Sequence, residues 1–217
     1  MHGQWVWTAR DRELHAAARV AAPELQAAVL SGTIECDDRA LRTSRGLSPA
    51  FSGTDAHALV VRLSDSLHGC VERLATEELG AALDRELERL LAEARATGAR
   101  FGEVQIDYDA PVAKLARYAE VLGFLRSRSL RDLELWITSL PAHVRVPEYG
   151  ELFRERVSGH ILQLFDTGLR CDVRQAEALR SALAARGVPF RLGLGAFERK
   201  GARADASHAC WVALTRA

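Results

Sequence analysis

The chain has 217 residues, 48% hydrophobic and 27% charged, and its 29 basic residues balance 29 acidic ones to a formal net charge of zero. That size and composition suit one soluble globular domain with a large core. The scattered basic residues argue against an electrostatic nucleic-acid surface, and no apolar run nears the roughly 18 residues of a membrane span.

The N-terminal Met1-His2-Gly3-Gln4-Trp5 lacks the basic and apolar pattern of a signal peptide. That fits a cytoplasmic protein, or an exported one whose leader has been removed. Val6-Trp7 is the first short apolar run, followed by a short helix. Ala27 to Ile34 is the second run and Ala58 to Leu63 the third. Val71, Leu74, Leu79, Leu83, Leu87, Leu90, Leu91 and Ala94 then recur at spacings of three and four, which predicts one long helix ending at Gly98.

Gly102 to Tyr108 is the fourth run, and Pro111 opens a helix with a stripe of Leu115, Tyr118, Ala119, Leu122 and Leu125. Leu133 to Thr138 and His160 to Phe165 are the fifth and sixth runs. A helix carrying Val173, Ala176, Leu179 and Leu183 ends at Gly187. Phe190 to Leu194 and Cys210 to Leu214 complete the set, with a polar loop from Arg199 to Ala206 between them. Eight strand candidates alternating with helices predict an α/β chain with right-handed crossovers. The fold class expected is a single (β/α)8 TIM-type barrel, trimmed in its helices, over residues 1–217.

Strand residues alternate between faces, and the outward face of a barrel must be apolar to meet its helices. That parity sends Val104, Ile106 and Tyr108 outward and Gln105, Asp107 and Asp109 inward. Applied to the other runs, it turns Arg62, Trp136, Thr138, Gln163 and Arg191 inward. In the second run it sets Leu30, Gly32 and Ile34 on one face and Thr33 and Glu35 on the other. Buried polar groups cost about 1–3 kcal/mol each when unpaired, so this inward set calls for mutual pairing or a ligand. Its upper members sit at the C-terminal strand ends, where barrel active sites lie.

Each residue also has a plain structural reading. Asp109 precedes Ala110-Pro111 and could cap the next helix. Asp107 could pair with Arg62, Gln163 and Trp136 could be core residues, and Arg191 could lie at the barrel floor. Gly193-Leu194-Gly195-Ala196 lacks the spacing of a phosphate loop. Cys36, Cys70, Cys171 and Cys210 are far apart, which leaves plain thiols or one disulfide open and gives no zinc pattern. His57, His68, His143, His160 and His208 show no metal-ligand spacing. No metal or other cofactor is expected.

Val104-Gln105-Ile106-Asp107-Tyr108-Asp109-Ala110-Pro111, Trp136-Ile137-Thr138-Ser139-Leu140-Pro141 and Ile161-Leu162-Gln163-Leu164-Phe165 together resemble the bacterial family grouped as domain of unknown function 3142. The resemblance implies a glycosidase-like barrel without an established activity. Leu164-Phe165 stands where that family usually has Val-His, and Gly195 where it usually has Pro. More loosely, Gly102 to Asp109 is similar to the strand-4 signature of chitinase-type glycosidases. Asp107 would match its last Asp, Tyr108 its aromatic residue and Asp109 its terminal acid, with Gln105 at an acidic position.

The expectation that follows is a carbohydrate-active hydrolase. Asp109 would be the general acid, Asp107 would raise its proton affinity or orient the substrate, and Glu35 would be the second carboxylate. Arg62, Gln105, Trp136, Thr138 and Gln163 would hold the sugar. The partner expected is a carbohydrate or other polar small molecule. The alternative is a non-catalytic carbohydrate-binding or degenerate barrel, in which Arg62 neutralises Asp107 within a closed network.

Overall fold

Thr8 caps the start of the first helix, two residues after the first strand ends. Its hydroxyl accepts from the Asp11 N–H at 3.2 Å, and the Asp11 carboxylate accepts from the Thr8 N–H at 2.8 Å, a reciprocal cap that fixes where the helix begins. The computed structural model describes residues 3–38, 40–47, 56–164 and 173–193. In chain order these form β1 (Gly3–Val6), α1 (Ala9–Ala21), β2 (Gln26–Asp37), β3 (Ala40–Arg45), β4 (Ala56–Leu63), α2 (Leu67–Arg73) and α3 (Thr76–Ala96). There follow β5 (Glu103–Asp107), α4 (Leu115–Arg126), β6 (Glu134–Ser139), α5 (Pro141–Val144), α6 (Tyr149–Phe153), β7 (Gly159–Gln163), α7 (Val173–Ala185) and β8 (Phe190–Gly193).

Seven strands run parallel in the order β1-β2-β4-β5-β6-β7-β8, and β3 pairs antiparallel with β2. The arrangement is a parallel-strand half-barrel with helices over its outer face. Of the expected trimmed (β/α)8 barrel, the described residues form this half-barrel of seven parallel strands. The strand expected at Cys210 to Leu214 and the loop at Arg199 to Ala206 lie outside the described residues.

Three local expectations are corrected. The helix after β1 is not short but runs 13 residues, with His15 its buried residue, so it left no apolar stripe to read. The long helix after β4 is two helices, because Leu74 and Ala75 are extended (ψ 148° and 153°) and turn the chain between them. Pro111 opens a 3₁₀ turn, Val112–Lys114, before α4 begins at Leu115.

The outward parity holds. Leu59, Val61, Val104, Ile106, Tyr108, Leu135, Ile137 and Leu162 pack in one core with Leu79, Leu83, Leu87 and Leu90 of α3 and Leu115, Tyr118 and Leu122 of α4. On β2 the parity breaks. Leu30 aligns with Val60 but Gly32 with Val61, so Ser31 is an extra residue, a β-bulge. Below it Ala28 and Leu30 share a cluster with Ala58 and Val60 on the inner face, while above it Ile34 joins the outer core. Leu30 therefore faces opposite to Gly32 and Ile34, contrary to simple alternation. The bulge coincides with a change of neighbour: β1 pairs with β2 through Val29, and β3 pairs from Gly32 onward.

Cys36 and Cys70 form a disulfide, with Cα atoms 6.3 Å apart, tying the end of β2 to α2. Cys171 and Cys210 lie outside the described residues.

Candidate functional site

The inner face carries two polar layers. The lower one surrounds Glu103, which is 1% exposed at the start of β5. Arg191 Nη1 donates to both its carboxylate oxygens at 2.8 and 2.9 Å, and Gln105 Nε2 donates at 2.7 Å. Trp5 Nε1 donates to Gln105 Oε1 at 2.7 Å, so both ends of that amide are engaged. The Arg191 guanidinium lies 3.6 Å from the centroid of the Trp136 ring. Trp136 is 8% exposed, and Arg191 covers one of its faces. Gln105 and Trp136, expected to hold substrate, thus belong to a buried, internally satisfied layer. Arg191 lies at this floor level too, as its plain reading anticipated. Glu103 and Trp5 escaped the sequence reading, although Glu103 shares the parity of Gln105 and Asp107.

The upper layer surrounds Asp107, buried at the end of β5. Gln163 Nε2 on β7 donates to its Oδ1 at 3.1 Å, and Arg62 Nε on β4 stands 3.9 Å from its Oδ2. The Thr138 hydroxyl on β6 accepts from the Tyr108 N–H at 3.0 Å. Burial pushes the Asp107 carboxyl above the usual aspartate range. Hydrogen bonding from Thr138, the Arg62 charge and Gln163 pull it down, and the neighbouring Asp109 charge adds to the upward push. Asp107, Arg62, Thr138 and Gln163, singled out by parity, do come together.

Asp109 is exposed, two residues beyond Asp107. Ala110 N–H donates to the Tyr108 carbonyl at 2.9 Å, which makes Asp109 the centre of a γ-turn. The capping alternative does not hold: Pro111 and Lys114 occupy the cap positions that follow, with no side-chain capping bond at either. Among the described residues, Asp109's carboxylate has no hydrogen bond and no ion pair, and the Arg62 contact goes to Asp107.

Two histidines hold this turn. His143 Nδ1 accepts from the Leu140 N–H at 3.1 Å. Its proton therefore sits on Nε2, which meets the Ala110 carbonyl at 2.7 Å. Burial lowers the His143 pKa, against upward pulls from that carbonyl and from Asp109, and so favours the neutral ring. His68 Nε2 lies 3.3 Å from the Asp109 carbonyl, and its ring lies 5.5 Å from Tyr108. Metal-ligand spacing was the wrong signal to seek in these histidines; their partners are backbone carbonyls.

Glu35 is exposed on β2, cross-strand from Arg42 of β3. Among the described residues, no hydrogen bond or ion pair joins it to Asp107 or Asp109. No group of His, Cys, Asp and Glu among the described residues is arranged to hold a metal ion. No described helix is long and apolar enough to cross a membrane.

Residues 58–209 match the model of a family described as "Domain of unknown function (DUF3142)". The fold is similar to the crystal structure of the Bacillus cereus spore cortex-lytic enzyme SleL, with a TM-score of 0.62 at 15% identity. The likeness covers 99% of this chain and 57% of that one, so this chain spans little more than half of that enzyme's length. At such identity the likeness is one of fold. No curated protein matches the chain in sequence.

Proposed function

The chain belongs to the domain of unknown function 3142 family, and from that premise we propose that it is a glycoside hydrolase acting on a polysaccharide, with Asp109 as general acid. The observation that carries the reading is the pair of carboxylates at the end of β5. Asp109 is exposed and unpartnered, while Asp107 is buried and held by Gln163 and Arg62. Glycosidic cleavage needs a proton donor that reaches the scissile oxygen, and of this pair Asp109 is the one open to a substrate. The fold shared with a cortex-lytic enzyme adds support at the level of architecture alone. The same reading takes residues 1–217 as one barrel domain.

In this mechanism Asp109 gives its proton to the glycosidic oxygen as the carbon–oxygen bond breaks. Water adds to the sugar carbon and passes its proton to a second carboxylate. Glu35, on β2, is the candidate for that role if the substrate spans the mouth. Asp107, held by Gln163 and Arg62, fixes the position of the strand end and orients the substrate at Asp109. Gln105 and Trp136 support the floor rather than the sugar.

Hydrolysis of a polysaccharide panel by the wild-type chain and by Asp109→Asn tests the assignment. A general acid contributes roughly 10²–10⁴-fold, so the variant should lose at least 10²-fold. Full activity in Asp109→Asn would remove Asp109 from the role. Binding without hydrolysis of any glycan by the wild type would instead identify a non-catalytic carbohydrate-binding barrel.

A further inference from the structure

The inner face beside Asp107 carries an aromatic residue that the two polar layers do not consume. Ala28, Ala58 and Val60 are small residues of the inner face, and Trp5 and Trp7 pack against them. Trp5 gives its indole N–H to Gln105 in the lower layer. Trp7 lies just past the end of β1, on the C-terminal side of the strands, and is only partly buried. Its backbone is fixed, because its N–H donates to Asp11 Oδ2 of the α1 cap at 3.1 Å. Among the described residues its indole N–H has no partner.

The Arg62 guanidinium lies over the Trp7 ring, its carbon 5.8 Å from the ring centroid. That differs from Arg191, which closes on Trp136 at 3.6 Å. The Arg62 side chain is 47% exposed, and its carboxylate partner, Asp107, is 3.9 Å from Nε. Its two Nη atoms have no partner among the described residues. A single contact at that distance leaves most of the Arg62 fork open.

The free polar groups that Trp7 and Arg62 themselves offer are all donors: one indole N–H and the N–H groups of a guanidinium fork. The fork matches a carboxylate in geometry and charge, and an indole suits the apolar face of a pyranose ring. We propose that Trp7 and Arg62 form a subsite for an acidic pyranose, the indole under the sugar ring and the Arg62 Nη atoms on its carboxylate. The proposal rests on the carbohydrate reading of the same mouth and narrows its substrate class to a uronate-bearing glycan. The exposed carboxylates of Glu35 and Asp109 oppose an anion only through water-screened charge, whereas Arg62 acts by direct hydrogen bonds.

Calorimetric titration of the full chain tests this, using three oligosaccharides of equal length: an oligogalacturonate, a cello-oligosaccharide and an N-acetylated chito-oligosaccharide. The acidic oligomer should bind at least ~10-fold more tightly than either neutral one, the worth of one charge-assisted hydrogen bond. Arg62→Gln should abolish that preference. Trp7→Ala should weaken all three, and Trp7→Phe, which keeps a ring to stack and guards against misfolding, should restore much of the loss. Equal or tighter binding of a neutral oligomer, a preference that survives Arg62→Gln, or no binding of any of the three would overturn the proposal. Asp109-dependent cleavage of a neutral glycan alone would refute the acidic subsite while leaving the hydrolase reading intact. Binding of the acidic oligomer through Arg62 and Trp7 without cleavage would uphold the subsite and refute the hydrolase.

Discussion

The Nε2–H of His143 donates to the carbonyl of Ala110 across 2.7 Å, so that the segment after β6 holds the residue immediately following Asp109. The ring is 2% exposed, and both its nitrogens are used. Replacing it by Ala leaves a buried carbonyl and a backbone N–H without partners, at a cost of about 1–3 kcal/mol. Urea denaturation of His143→Ala should report a loss in that range. Substrate turnover should fall further than stability alone explains, because Asp109 loses its fixed position.

His160 gives the stability a pH dependence. It is fully buried on the outer face of β7, with Nδ1 2.8 Å from the Tyr149 hydroxyl and 3.2 Å from Ser139 Oγ. Burial, and then the charge of His143, lower its pKa from 6.5 to about 3. The unfolded chain therefore binds a proton between pH 6.5 and about 3 that the folded chain refuses. Stability is full above 6.5 and falls as pH drops through that window. Between pH 7 and pH 5 this group alone should remove about 2 kcal/mol. Denaturation curves at the two pH values should show the slope in the wild type and a shallower one in His160→Gln.

Asp107 has the opposite sign. Its folded pKa is raised, so its contribution to stability is present below the unfolded pKa and is lost as pH rises through the folded value. Asp107→Asn keeps the shape and the bond from Gln163 while removing a buried charge. At pH 7 the variant should melt no lower than the wild type and should lose activity, a separation that thermal melting and turnover assays read together. A lower melting temperature would mean that the Arg62 pairing outweighs burial.

The Cys36–Cys70 disulfide joins residues 34 apart in sequence. Closing a loop of that size contributes about 3–4 kcal/mol by restricting the unfolded chain. Full reduction, or a Cys36→Ala/Cys70→Ala double variant, should lower the urea midpoint accordingly. An unchanged midpoint with reductant present would show that the two thiols are not joined in solution.

Parity made β5 through β7 legible. Once one face of a strand must meet helices, Gln105, Asp107, Thr138 and Gln163 have only one place to go. It failed on β2, where a single extra residue at Ser31 reverses the alternation without any change in composition. The β3 hairpin strand was missed for a related reason. It follows a turn at Asp38, whose φ of 56° is left-handed without being glycine, and its sequence Ala-Leu-Arg-Thr-Ser-Arg lacks the apolar run of a parallel strand. The layering of the site was illegible because it depends on partners far apart in sequence. Trp5 and Gln105 are 100 residues apart, and Arg191 and Glu103 are 88. The freedom of Asp109 from capping emerged only from the turn geometry.

The Ser31 bulge bears on covalent chemistry as well as on packing. Cys36 shares its face of β2 with Gly32 and Ile34, the outer side that meets the helices. Removing Ser31 would join Leu30 to Gly32 in the consecutive register that Val60 and Val61 already offer, so Gly32, Ile34 and Cys36 would keep their face and the bridge to Cys70 would survive. Deleting a residue beyond the bulge, such as Thr33, would instead reverse every later position on the strand. Cys36 would then face inward, away from Cys70 on α2, and that deletion should behave as the loss of a cross-link.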